Sequence, residues 1–175
     1  MTVDPILHHG RPAERREEKE ERCYALLDDL GLSYERADHE HADTIEACHA
    51  VERVLGCEIC KNLLLMPGEK PFKTRILSKQ IGTARLSFAS AEQMLEHLGV
   101  TPGSVSVLGL LNDKEKKVHL LIYRDLLSQP FIGMHPCLNS STLKIACGDL
   151  MDRILPALGV EPRIVDLPWD PDAET

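Results

Sequence analysis

Aromatic residues are scarce in this chain: they make up 4% of its 175 residues, with a single tryptophan. The core should therefore be aliphatic. Long apolar runs are also missing. No stretch approaches the roughly 20 residues that span a bilayer. The opening residues MTVDPILHHG lack the apolar core of a signal peptide. A cytoplasmic protein without membrane attachment is expected. There is no excess of basic charge either: the formal net charge is -8, which argues against a protein that coats nucleic acid non-specifically but leaves room for a tRNA binder with a local basic face. Internal repeats and low-complexity linkers are absent, and so is the G-x-S-x-G pattern of a serine-hydrolase elbow.

What is present fits one compact domain over residues 1–175. The apolar fraction of 43% and charged fraction of 27% are ordinary for a globular protein. Residues 1–19 read as an exposed, charged N-terminal extension and residues 168–175 as a loose tail. Cys23, Leu26, Leu27 and Leu30 recur at helical spacing, so a helix is expected over 12–30, closed by Gly31. A short strand is expected over 33–37. A second helix follows over 44–55, capped by Asp43 or Thr44 and stopped by Gly56. Residues 57–66 read as a buried strand and 76–81 as a short helix. Ser90 with Gln93 forms a capping-box pattern before a helix that ends at Gly99. Residues 104–111 and 117–123 read as a pair of strands, with further strands over 143–146 and 163–166. Between the last two lies a helix in which Pro156 forms a bend or an end. Interspersed helices and strands predict an α/β fold with a mixed sheet packed by helices.

Several residue groups have chemical potential. Cys57-x-x-Cys60, with His135 and Cys137, has the donor types of a zinc site. Only one close cysteine pair exists, however, and structural zinc usually recruits two. No metal is expected, and the six cysteines read as reduced and mostly buried. Lys61-Asn62 follows an apolar stretch and precedes three leucines. An ammonium there is costly unless solvated or matched to an anion such as phosphate. Pro102-Gly103-Ser104 is either an ordinary turn or a place where backbone N–H groups meet an oxyanion. Gly133-Met134-His135-Pro136, with Asn139 and Thr142, offers polar groups for a pocket. Lys61, Lys70, Lys73, Arg75, Lys79 and Arg85 crowd a segment whose only acid is Glu69. That segment is either a solvated surface or a phosphate-facing patch.

In their order, the stretches CKNL (60–63), PGEKPFKT (67–74), LSFAS (86–90), LGVTPGSVSVLGLLND (98–113) and HPCLNSSTL (135–143) resemble the YbaK/ProX family of aminoacyl-tRNA deacylases. Within it they resemble the freestanding prolyl-tRNA editing type. The likeness spans about residues 20–167. It implies a central, mostly antiparallel sheet wrapped by helices, and hydrolysis of the ester joining a small amino acid to tRNA, with alanine on proline tRNA the expected substrate. It implies no cofactor and no protein nucleophile; the substrate's own 2′-hydroxyl would help to activate water. Lys61, Gly103 and His135 match the family's catalytic positions. Asn62, Ser104 and Pro136 match substrate-binding positions, and Lys73 and Arg75 are expected to meet tRNA. Prolyl-tRNA synthetase is a further expected partner, and the chain is expected to be a monomer or weak homodimer. A non-catalytic tRNA-binding or regulatory relative of the same fold is the other reading. One departure stands out: the resemblance implies a longer hairpin between Asn62 and Met66, and about a dozen residues, a strand plus a turn, are missing. The expectation is a segment passed over in the sequence, since losing half a hairpin would disturb the site beside Lys61.

Overall fold

The computed structural model describes residues 2–42, 44–59, 65–67, 75–84 and 86–166; for Ile45, Leu65, Met66, Pro67, Arg75 and Ile76 only the backbone is described. Strand β1 (His8–His9) leads to helix α1 (Glu18–Asp29), β2 (Glu35–Asp38) and α2 (Ile45–Leu55). Then come β3 (Leu65–Pro67), α3 (Arg75–Ile81), β4 (Leu86–Phe88) and α4 (Ala91–Leu98). Strands β5 (Leu121–Tyr123), β6 (Phe131–Met134) and β7 (Ser141–Ala146) precede a helical stretch over 147–157, and β8 (Arg163–Val165) ends the described chain.

A four-stranded antiparallel sheet in the order β1-β2-β7-β6 organises the molecule. Its register sorts the side chains onto two faces, because directly paired residues share a face. Arg36 pairs with Leu143 and Asp38 with Ser141, while Ile132 pairs with Ile145 and Met134 with Leu143. This face meets α1, whose Cys23, Tyr24 and Leu27 are fully buried, and it forms the large aliphatic core. The opposite face carries Ala37 with Thr142, and Lys144 with both Glu35 and Gly133. It meets α2, where a smaller cluster forms around Ala37, Val51 and Leu55. Lys144 spans that face, its Nζ 2.8 Å from Glu35 and 4.9 Å from the Phe131 ring centre.

Local chemistry explains the helices. Thr44 Oγ1 accepts the Ala47 N–H at 3.2 Å, and Gly56 closes α2 at φ 65°. Ser90 and Gln93 make both bonds of a capping box ahead of α4. Helix α1 begins six residues later than the spacing predicts. Its first turn holds Glu18, Glu20 and Glu21, which favours the helix N-terminus. The expected exposed extension is in part structural. Strand β1 adds an edge to β2, and the buried Arg36 guanidinium donates to the Gly10 carbonyl at 2.6 Å while pairing with Asp38. Glu20, one residue past the expected extension, is 2% exposed.

The expected strand pair over 104–123 does not form. Ser106 caps a 3-10 turn over Val107–Leu111 instead. The Asp113 carboxylate accepts the N–H groups of Lys117 and Val118 at 3.0 and 2.8 Å, taking donors that a ladder would need. Only Leu121–Tyr123 is a strand, and its partner is the parallel β8. A strand over 131–134 takes its place beside β7. Before Pro156 the last helix widens into a π-turn over Leu150–Ile154, and it ends at Ala157. In the stretch 57–66, Ile59 bridges Gly133 in parallel and Leu65–Pro67 pairs with β4. The segment expected as passed over lies between Asn62 and Met66; Asn62, Leu63 and Leu64 are outside the described residues, as is the tail.

Candidate functional site

On the α2 face, two histidines converge where β2 and β6 end and β7 begins. His39 follows β2, His135 follows β6, and Thr142 sits between them as the second residue of β7. The rings stand edge to face, their centres 6.0 Å apart. His135 Nδ1 lies 3.0 Å from the Ser141 carbonyl oxygen and 3.2 Å from Thr142 Oγ1. His39 Nε2 lies 2.9 Å from Thr142 Oγ1, and its Nδ1 is 2.7 Å from the Glu40 carbonyl.

These contacts fix the protons. A carbonyl oxygen only accepts, so Nδ1 of each ring carries hydrogen. Burial pushes both imidazoles below their usual pKa, His135 further opposed by charge on His39. Both rings are therefore neutral near pH 7. His39 Nε2, lacking a proton, accepts from the Thr142 hydroxyl, whose oxygen in turn receives a share of the His135 Nδ1–H. His135 is left with Nε2 as a bare acceptor, and among the described residues no hydrogen bond reaches that atom.

The neighbouring loop is built to hold this arrangement. Pro136 is buried, and Cys137 takes φ 64° with its Sγ 3.5 Å from that of Cys23. The hydrogen bond with Cys137, together with burial, pushes Cys23 well above the ordinary thiol range, while the same contact lowers Cys137; both thiols are buried in the large core. Asn139, 2% exposed, stitches three segments. Its N–H donates to Ser104 Oγ at 3.2 Å, and its side-chain amide brackets the backbone N–H and carbonyl of Ala42. This ties Ser104 to the His135 loop. Thr101-Pro102-Gly103-Ser104 is a type II turn: Gly103 sits at φ 83°, and the Ser104 N–H donates to the Thr101 carbonyl at 3.0 Å. Ser104 N–H is thus spent within the turn, so successive N–H groups aimed at an oxyanion are not what this turn presents.

Of the residues expected in the site, the structure links Ser104 directly to the loop that carries His135 and Pro136, with Gly103 exposed beside it. Lys61, Asn62 and Lys73 lie outside the described residues, and Arg75 is described only as the first residue of α3. The chain reaches Ile59 in parallel register with Gly133. Lys61 follows Ile59 by two residues, as His135 follows Gly133. Cys57, one of the thiols weighed for zinc, is pushed up to about 11 by burial. Cys60 lies outside the described residues, among which no three metal-binding side chains gather. An open depression of about 590 Å³ lined by His49, Glu52, Arg53, Gly56, Cys57, Glu58 and Gln129 lies past the end of α2, away from the histidine pair. The motifs in the sequence do not single out His39. Its one signal is its place two residues after Ala37 on an alternating strand, aimed at the same face as Thr142.

The aminoacyl-tRNA editing domain profile matches residues 39–152. The prolyl-tRNA editing protein ProX of Acetoanaerobium sticklandii is 28% identical over 155 residues, covering 82% of this chain and 94% of that protein. The prolyl-tRNA synthetase associated domain-containing protein 1 of Danio rerio is 28% identical over 153 residues, covering 80% of this chain and 81% of that one. Among solved structures, a candidate trans-editing enzyme for prolyl tRNA synthetase superposes with a TM-score of 0.64 at 16% identity, covering 89% of this chain and all of its own. At that identity the likeness speaks for the fold alone.

Proposed function

Because the chain belongs to the aminoacyl-tRNA editing domain family, we propose that it is a freestanding deacylase that removes alanine from mischarged proline tRNA. The observation that carries this reading is where the family match falls. It runs from His39 to Asp152 and so encloses the histidine pair, the Gly103–Ser104 turn and the loop that joins them. The names of the two relatives, a prolyl-tRNA editing protein and a prolyl-tRNA synthetase associated domain protein, support proline tRNA as the substrate and the synthetase as a partner.

The chemistry asks little of the protein. An aminoacyl ester is already reactive, and positioning with a few fixed donors supplies much of the acceleration. In the proposed reaction, water attacks the ester carbonyl, the bond to the ribose oxygen breaks, and that oxygen takes up a proton. The substrate's neighbouring hydroxyl helps to activate the water. Lys61 and Asn62 hold the acylated end, Gly103 and Ser104 line the pocket, and His135 with Pro136 bounds the space for the amino acid. Lys73 and Arg75 belong to the basic segment that meets phosphate, so binding weakens with salt.

The test is a panel of tRNAs, each carrying one amino acid, incubated with the pure protein. Alanine should leave proline tRNA while cognate proline stays. Release of neither sinks the deacylase reading in favour of a tRNA-binding relative; equal release of both sinks the selectivity.

A further inference from the structure

We infer that His39 and Thr142 are positioning residues for His135, holding its Nε2 as a hydrogen-bond acceptor that reads the free α-ammonium of the aminoacyl group. This rests on the proposed deacylase function and specifies what the site recognises in its substrate. Two carbonyl groups, one at each end of the hydrogen-bonded chain, set its direction. The Ser141 carbonyl and Thr142 Oγ1 share the proton on His135 Nδ1, and the Glu40 carbonyl puts the His39 proton on Nδ1. Thr142 Oγ1, between the rings at 2.9 and 3.2 Å, then has only one consistent role, donating to His39 and accepting from His135. The three side chains are buried, His39 at 8%, His135 at 7% and Thr142 at 0% exposure. Inside a protein such a chain polarises and fixes its members. His39 belongs to neither apolar core cluster, and both its nitrogens are committed to this chain.

A neutral imidazole with a bare Nε2 cannot attract an ester carbonyl, which is itself an acceptor. It can bind a donor, and the strongest donor on an aminoacyl ester is its ammonium. A site built around such an acceptor should reject analogues that lack the charge.

The experiment compares alanyl-tRNA with lactyl-tRNA, in which a hydroxyl replaces the ammonium at nearly equal size. Each single-turnover rate is divided by that ester's spontaneous rate. The proteins are wild type, Thr142→Val, Thr142→Ser and His39→Gln. Long-range proton–nitrogen NMR reads the His135 tautomer in each. Wild type should favour alanyl over lactyl by about tenfold or more. Thr142→Val should lose most of that preference and show a larger share of Nε2–H tautomer, Thr142→Ser should restore both, and His39→Gln should fall between. A wild-type His135 protonated at Nε2 overturns the inference, as does a Thr142→Val protein with unchanged tautomer and preference. If wild type hydrolyses no aminoacyl ester, the proposed function and the amine reading fail together, while the NMR still decides whether His39 and Thr142 set the tautomer.

Discussion

The side of the sheet that carries Leu143, Ile145, Ile132 and Met134 packs against α1 with almost nothing exposed. The other side carries Thr142, Gly133 and Lys144 beneath α2; among the described residues its apolar cluster has Ala37, Val51 and Leu55 buried, with Val3, Leu7, Val54, Cys57 and Ile59 partly buried against them. One side excludes water with close-packed aliphatics, which stabilise in proportion to area. The other keeps polar groups in fixed positions, which costs stability unless every partner is supplied. The histidine chain lies on that second side, where His39, Thr142 and His135 hold one another in fixed positions. A single sheet thus divides the labour, the α1 face supplying close packing and the α2 face holding polar groups in fixed positions.

Truncating matched leucines on the two sides puts that division under the greatest strain. Leu143→Ala on the α1 face should cost close to the upper end of the about 2–5 kcal/mol seen for such cavities, and Leu55→Ala in α2 close to the lower end. Both side chains are at most 1% exposed, so the difference reports how well each surround can collapse. Urea unfolding gives both values. Equal costs would mean that the two sides share the burden of stability.

Next in size are the effects on activity that leave the fold alone. Lys61→Ala should lower single-turnover deacylation by about a hundredfold, the loss typical of one electrostatic contact to a reacting centre, with unchanged circular dichroism. His135→Ala should enlarge the space for the amino acid and blur the preference for alanyl over prolyl tRNA. A synthetase pocket shaped for proline distinguishes a smaller side chain by only about 1–3 kcal/mol, so the proposed function calls for a second, smaller sieve, and this variant tests whether His135 bounds it. Normal turnover in the lysine variant, or undiminished selectivity in the histidine variant, would detach these residues from the site.

Much of the molecule is legible from sequence, and the reasons differ by element. The caps at Thr44 and Ser90 and the stops at Gly56 and Gly99 act locally, so the sequence shows them directly. Strand β7 shows itself through Leu143 and Ile145 in alternation. The 104–123 region misleads, because its alternating apolar residues resemble strands while one carboxylate, Asp113, captures the backbone donors. Strand β6 is hidden by Gly133, which looks like a loop residue until Ile59 is seen lying against it. The site divides in the same way. His135 and Ser104 stand in motifs, whereas His39 acquires its role only through a partner 103 residues away.

Gly133 offers a smaller and more local test. A Cβ there would stand 3.1 Å from Ile59 Cα and 3.2 Å from the Glu58 carbonyl oxygen, both backbone atoms that cannot swing aside. Gly133→Val should cost about 1–3 kcal/mol through overpacking and displace residues 58–59; on the proposed role of Lys61, two residues further along the sequence, activity should fall beyond the stability loss. Gly148→Ala, with open space around its Cβ, is the control; it should be neutral or gain up to about 1 kcal/mol. If both variants behave alike, the close approach of residues 58–59 to β6 does not constrain that strand.

A weaker response separates the two faces by its sign with pH. On the α2 face, burial holds His39 and His135 below the ordinary imidazole value of 6.5, only partly offset by the Glu40 and Ser141 carbonyls and by Asp38, with His41 acting in the same direction as burial on His39. The unfolded chain then binds more protons than the folded one just below pH 6.5. Stability from these groups is present above that value and is lost as pH falls through their folded values. On the α1 face, burial raises Glu20 above its ordinary 4.5, against the pull of Arg16. Its sign is opposite: the contribution is complete below 4.5 and is lost as pH rises through the folded value. Urea midpoints measured from about pH 4 to about pH 7.5 should therefore respond differently to two substitutions. His39→Gln should flatten the decline between about pH 7.5 and 5.5. Glu20→Gln should raise the midpoint at about pH 7.5 and lose that advantage towards about pH 4, because a neutral amide replaces a carboxylate whose desolvation is costly only when it is ionised. Parallel curves for wild type and both variants would show that neither face couples its buried ionisable groups to folding, and the division of labour would then rest on packing alone.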